Sequence, residues 1–139
     1  MKPQNLLPLA GSLLCVILAA GCAQTPPAED PAYAARMKDA GDAYQACLTR
    51  EAEKDMKNPA GAEDIATAAH GRCWTAWETY QQATDASYAY GARSAEQKQY
   101  ARDKTEAHLR QFEREARQMV VDMVVERSLK GKPKTSPAQ

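Results

Sequence analysis

Two cysteines are the residues of this sequence whose spacing points most directly to chemistry. Cys47 and Cys73 lie 13 residues on either side of residue 60, inside the Asn-Pro-Ala-Gly turn signal of residues 58–61. If helices flank that turn, each cysteine lies about 20 Å from it and the two thiols face each other. We therefore predict a disulfide that closes a loop of 26 residues and contributes about 3–4 kcal/mol in the chain-entropy model.

A metal site is the alternative for the same residues. His70 and Cys73 have a helix-compatible spacing and Cys47 would be a third ligand, but the repeated cysteine pairs of zinc sites are missing. His70 and His108 are far apart in the sequence, so we expect both to be exposed on helices. Motifs for a nucleophile elbow, a phosphate loop or a calcium loop are missing as well. We therefore predict no catalytic residue, no metal and no cofactor.

The N-terminus has the order of an export signal. Lys2 lies in a short start, an apolar stretch covers residues 6–20, and small residues precede Cys22. The stretch is shorter than the roughly 20 apolar residues of a comfortable membrane span, although an uncleaved anchor helix remains an alternative. Export into an oxidising compartment favours a disulfide between Cys47 and Cys73.

Residues 18–22, Leu-Ala-Ala-Gly-Cys, resemble the lipobox of bacterial lipoproteins, with alanine at a position where leucine is usual. The resemblance implies that signal peptide 1–21, which includes Cys15, is removed and that Cys22 carries a diacylglyceryl group with palmitate-type chains. Two or more chains anchor stably, because each buried methylene contributes about 0.8 kcal/mol. Ala23 in place of aspartate implies the periplasmic side of the outer membrane in a two-membraned bacterium, and the cell membrane otherwise. An ordinary secretory signal cut near Ala23 is the alternative.

Helix signals divide the rest of the chain into a tether, a helical domain over 31–130 and a tail. Asp30 and Pro31 suit a helix start, and Pro59 ends the first helix. Ser94 opens a capping-box spacing that starts the last helix. We predict a flexible tether over 22–30, helices over about 31–57, 62–89 and 95–130, and a disordered tail over 131–139.

These elements predict an all-α fold, in which a disulfide-clamped antiparallel hairpin and a third long helix form a three-helix bundle. The alternative is one continuous rod over residues 62–130, since no proline interrupts them. From residue 22 on, the 118 residues contain only nine Leu, Ile, Val or Phe but 24 Ala, so large side chains must pack against small ones. Folding about residue 60 places Ala40 opposite Tyr80.

The end of the third helix is the most apolar stretch after the signal peptide. Folding about residue 92 puts Met119 opposite Ile65, so the residues that follow overhang the first turn. Exposed apolar patches often mark partner surfaces, and we expect this one to bind a second copy or another envelope protein. The alternative is that a shift of the helix lets these residues cap the bundle's own end. The surface comprises Met119, Val120, Val121, Met123, Val124 and Val125.

Aromatic and basic clusters give two weaker hypotheses. Trp74 and Trp77 lie one helical turn apart and could stack on glycan rings of the cell wall, but such residues more often fill a thin helical core. Arg110, Arg114 and Arg117 are interrupted by glutamates, which is typical of a solvated helix face.

Composition and charge exclude several function classes. The 18 basic and 18 acidic side chains give zero net charge, which excludes a nucleic-acid binder with a strong basic excess. The thin core excludes a large enzyme, and we expect no enzymatic activity. We expect a cell-envelope lipoprotein, held to the membrane by its N-terminal lipid, with a protein-interaction or structural role. The alternative is a small periplasmic binding or inhibitor module that recognises cell-wall glycan or a hydrolase.

Overall fold

Four α-helices form most of the chain that the computed structural model describes, residues 30–57 and 60–130. They are α1 (Pro31–Asp55), α2 (Ala62–Arg72), α3 (Trp74–Ala89) and α4 (Ala95–Lys130). Helix α1 packs on α2 and α3, and α4 packs on the same two helices. The described ranges contain no strand, and the predicted all-α fold with its disulfide is confirmed.

The predicted signal peptide 1–21, the predicted lipid attachment at Cys22, residues 23–29 of the predicted tether and the predicted tail 131–139 lie outside the described residues. Within residues 30–57 and 60–130, none of the helices is long and apolar enough to cross a membrane.

The predicted count of three helices is wrong, because the second helix divides at Cys73. The backbone of Cys73 has φ −97° and ψ 15°, outside the usual range of an α-helix. Its N–H donates to the carbonyls of both Ala69 and His70, at 3.0 and 3.1 Å, so the last turn of α2 is tightened. The N–H of Trp77 then donates to the carbonyl of Cys73 at 3.0 Å and begins the next helix. The break lies at the residue whose sulfur is bonded to α1.

The predicted caps are confirmed at two helix starts. The carboxylate of Asp30 accepts a hydrogen bond from the N–H of Ala32 at 2.8 Å, with proline in the first turn of α1. Ser94 and Gln97 form the reciprocal capping box, each accepting from the other's backbone N–H at 3.1 Å. Gly91 has a positive φ of 74° in the turn before it. Helices α3 and α4 are therefore separate elements and not one rod.

The core is built from large rings packed against small residues. Tyr44 and Tyr80 are buried beside alanines, and Gly41, rather than the expected Ala40, lies directly under the ring of Tyr80. Thr84 is also buried, and its hydroxyl donates to the carbonyl of Tyr80 at 2.8 Å. The buried cluster comprises Tyr44, Leu48, Ala52, Ile65, Ala66, Ala69, Cys73, Trp77, Tyr80, Ala116 and Val120.

Arg72 joins α2 to α1 beside the break. Its guanidinium donates to the carboxylate of Asp55 at 2.5 Å and to that of Glu51 at 3.1 Å. The hydrogen bond to Asp55 is the largest cause of a raised pKa at Arg72. Because the Arg72 side chain is 42% exposed, water screens these ion pairs and their contribution to stability is small. They orient the end of α2 next to the disulfide.

Candidate functional site

Cys47 and Cys73 form the predicted disulfide between α1 and the α2–α3 break. Their sulfur atoms are 2.05 Å apart and their Cα atoms 5.9 Å apart. Sulfurs bonded to each other cannot act as thiolate ligands, so the bridge is structural. In the described part of the chain, no three His, Cys, Asp or Glu side chains are grouped to hold a metal ion.

The apolar stretch at the end of α4 divides between core and surface. Val120 is fully buried in the core cluster. Four of its neighbours are partly buried and pack against that cluster, namely Met119, Val121, Met123 and Val124. Val125 is 44% exposed, and Leu129, which the predicted surface did not include, is 63% exposed. The outward apolar surface of α4 is therefore formed by Val125 and Leu129, one helical turn apart.

The register of α4 against α3 differs from the expected one by four residues, which is about one helical turn. Tyr80 bonds to His108, whereas folding about residue 92 places it opposite residue 104. At the other end, Val124 and Arg127 line a cavity with Met56 and Ile65. The shift places the buried part of the apolar stretch over the end of the bundle where α1 turns into α2. This position agrees with the alternative in which the stretch caps the bundle's own end.

The arginine cluster on α4 borders an open groove. Arg117 donates to the hydroxyl of Thr67 on α2 at 2.8 Å, and Arg110 is ion-paired with Glu106 one turn earlier. Glutamates 63 and 113 line the same groove. This mixture of positive and negative charge is typical of a solvated helix face and does not form a focused anion site. Val121 also lines the groove.

The two tryptophans occupy different environments. Trp77 is 4% exposed and belongs to the core, whereas Trp74 is 49% exposed. His70 lies between them, with its ring edge-on to Trp74 at 5.8 Å between centroids and 5.9 Å from Trp77. Trp74 is therefore the indole of this pair that a ligand in solvent can reach.

The expectation that both histidines are exposed is wrong, since each is half-buried and bonded to a buried tyrosine. The hydroxyl of Tyr44 is 2.7 Å from Nδ1 of His70, and that of Tyr80 is 2.7 Å from Nε2 of His108. Tyr88 approaches the other ring nitrogen of His108 at 3.4 Å. The signal that could have found these pairs is general, because a buried tyrosine hydroxyl needs a partner.

Burial changes the acidity of both tyrosines. It raises the pKa of Tyr44 to about 12, with a further contribution from the negative charge of Glu113. Burial also raises the pKa of Tyr80. Both phenols keep their protons at neutral pH, and each can donate to its imidazole in the tautomer whose facing nitrogen carries no hydrogen.

The chain matches no protein-family model, no curated protein and no solved structure. Its function is therefore inferred from its own residues and their geometry.

Proposed function

We propose that this chain is a non-enzymatic cell-envelope lipoprotein that presents a disulfide-clamped helical domain to a protein partner. The partner is a second copy of the chain or another envelope protein, and it binds the outward apolar surface of α4, Val125 and Leu129. The lipid on Cys22 holds the domain at the membrane, on the periplasmic side of the outer membrane in a two-membraned source.

The observation that carries the proposal is the exposure of large apolar side chains at one end of α4. Val125 is 44% and Leu129 63% exposed, in a chain whose supply of aliphatic residues is small. Full burial of an aliphatic side chain contributes about 1.5–3 kcal/mol, and a partner that covers the remaining exposed half of each side chain gains about half of that. A surface of two side chains suits a weak contact, and tethering to a membrane raises the effective concentration of such contacts.

Photo-crosslinking in intact membranes tests the partner contact. A benzophenone amino acid at Leu129 is compared with the same group at Glu78, which is exposed on α3. We expect one defined adduct from position 129, either of twice the chain mass or with a protein identified by mass spectrometry, and none from position 78. Equal, diffuse labelling from both positions would contradict a specific surface on α4.

A separate experiment tests the anchor. We expect metabolic labelling with a palmitate analogue to mark the wild-type chain and to fail with Cys22→Ser, which should leave the membrane fraction. Labelling that survives Cys22→Ser would overturn the lipoprotein assignment. It would not affect the proposed contact on α4, which the photo-crosslinking experiment tests separately.

Trp74 favours a second candidate function, a binding or inhibitor module for cell-wall glycan or a hydrolase. Its indole is 49% exposed and makes a T-shaped contact with the ring of His70, and exposed aromatic faces stack well on sugar rings. Sedimentation with purified peptidoglycan tests the glycan form, with Trp74→Ala compared with Tyr100→Ala, a ring that is 40% exposed on α4. Loss of binding in the first variant alone would support it, and absence of binding by the wild-type chain would refute it.

A further inference from the structure

Both histidines of this chain are bonded to buried tyrosines. The chain contains two histidines, and the hydroxyl–nitrogen distance is 2.7 Å in each pair. The tyrosines, Tyr44 and Tyr80, are 0% and 2% exposed. A base whose nitrogen lies about 2.6–3.2 Å from the oxygen that carries the proton is in position to accept that proton. In the histidine tautomer whose facing nitrogen carries no hydrogen, each pair therefore has the geometry for proton transfer from phenol to imidazole.

The two pairs are joined by one indole. The ring of Trp77 is 5.1 Å from that of Tyr44 and 5.8 Å from that of Tyr80, between centroids. Indole and phenol are the side chains that lose a single electron most readily. The core therefore holds three oxidisable rings in direct succession, with a proton acceptor at each phenol.

The series of rings formed by Tyr44, Trp77 and Tyr80 is connected to solvent through Trp74. This indole is 49% exposed and lies edge-on to His70, which also contacts Trp77. A small oxidant in solvent can therefore meet Trp74 without entering the core.

We propose that these rings are a path for proton-coupled electron transfer, by which a one-electron oxidant at Trp74 oxidises Tyr44 or Tyr80. The oxidant gains one electron. The tyrosine loses that electron and its phenolic proton, becoming a neutral phenoxyl radical, and the proton bonds to Nδ1 of His70 or Nε2 of His108. The substrate class is small radical oxidants, and a one-electron reductant reverses the step.

Electrostatics explains why the imidazoles are needed. Removing an electron from a buried phenol leaves a positive charge in a medium of low polarity, which is costly unless the charge leaves or is paired. Transfer of the proton to His70 moves that charge to a ring that is half-buried rather than fully buried, where water solvates it better. Oxidation without proton transfer would keep the charge on a ring that is fully buried. The activity is independent of the partner contact on α4.

Flash oxidation of the full chain in detergent tests the proposal. Photogenerated ruthenium(III) tris-bipyridine is the oxidant, and electron paramagnetic resonance of freeze-quenched samples identifies the radical. We expect a neutral tyrosyl radical whose yield falls to background in Tyr44→Phe combined with Tyr80→Phe. Tyr90→Phe, which removes the phenolic hydroxyl of an exposed tyrosine, should leave the yield unchanged. A yield carried by Tyr90, or confined to Trp74, would overturn the proposal.

The histidines are tested by His70→Gln combined with His108→Gln. Glutamine keeps a hydrogen-bond acceptor but is far less basic than imidazole, so a structural role would survive and proton transfer would not. We expect the folded double variant, checked by circular dichroism, to lose most of the tyrosyl yield. An unchanged yield would overturn the role of the imidazoles.

A measurement on the wild-type chain keeps the test valid if the variants do not fold. In deuterated water, electron–nuclear double resonance should show one exchangeable deuteron hydrogen-bonded to the phenoxyl oxygen, and radical formation should be slower than in ordinary water. A radical with no such deuteron would overturn the proposal without any substitution.

Discussion

The ring of Tyr80 rests on the backbone of Gly41, where α3 packs on α1. A Cβ atom at Gly41 would lie 3.1 Å from Cε2 of Tyr80 and 3.3 Å from Cζ of Phe112, inside the optimal carbon–carbon contact distance. The ring has little room to retreat, because its hydroxyl is bonded to His108 and its centroid is 4.2 Å from that of Phe112. The missing side chain at Gly41 is what lets the helices approach so closely.

Gly41→Ala should therefore destabilise the fold. Overpacking a core costs about 1–3 kcal/mol, and alanine returns up to about 1 kcal/mol of helix propensity. We expect the free energy of unfolding to fall by up to about 2 kcal/mol, measured by chemical denaturation followed with circular dichroism.

Gly71→Ala is the matched control on α2. A Cβ atom there would meet nothing within 4 Å, so only the propensity gain remains, and we expect stability to rise by about 0.5–1 kcal/mol. If both substitutions stabilise equally, the close approach at Gly41 does not limit the packing of α1.

Loss of the disulfide should be among the costly changes in α1. The bridge closes a separation of 26 residues, and removing such a loop constraint costs about 3–4 kcal/mol in the chain-entropy model. We expect Cys47→Ala combined with Cys73→Ala to lower the free energy of unfolding by that amount. A reductant should have the same effect on the wild-type chain and none on the double variant. A loss below about 1 kcal/mol would show that the bridge adds little to the packed helices.

Features with local signals could be predicted from the sequence. The caps at Asp30 and Ser94 depend on side chains within three residues of the backbone groups that they satisfy. The pairing of Cys47 with Cys73 followed from the position of one turn, because the register of a hairpin depends on where it turns. The break at Cys73 could not be predicted, since the one weak helix former beside it, Gly71, is tolerated inside many helices and the break accompanies a bond to another helix.

The Tyr80–His108 pair could not be predicted because it depends on the register of α4. The face of α4 that enters the core carries the small residues Ala101, Thr105 and Ala116. Small residues identify a buried face but allow the helix to slide along its axis. A slide of one turn changes the neighbour of Tyr80 from residue 104 to His108. A short apolar pattern identifies the face of a helix more readily than its axial position.

Tyr44 makes the free energy of unfolding depend on pH in the alkaline range. Burial raises its pKa from 10.0 to about 12, so the folded protein keeps a proton that the unfolded chain has already released. The stabilisation is complete below pH 10 and is lost as the pH rises towards 12. We expect the loss to be about 2–3 kcal/mol, measured by chemical denaturation across this range.

Tyr44→Phe should reduce this alkaline loss, whereas Tyr90→Phe, at an exposed ring, should keep it. A smaller dependence of the unfolding free energy on pH should remain in Tyr44→Phe, because burial also raises the pKa of Tyr80. An unchanged slope in Tyr44→Phe would assign the pH dependence to other groups.

Two valines of α4 separate its contribution to folding from its contact with a partner. Val120 is fully buried whereas Val125 is 44% exposed. Val120→Ala leaves a cavity, so we expect a loss of about 1–3 kcal/mol in unfolding free energy. Val125→Ala should change it by less than about 0.5 kcal/mol. The two variants should have the opposite order of effect on photo-crosslinking from position 129. Val125→Ala should weaken the adduct, whereas a folded Val120→Ala should retain it. If Val125→Ala destabilises the fold as much as Val120→Ala, its side chain belongs to the core, and the outward surface of α4 reduces to Leu129.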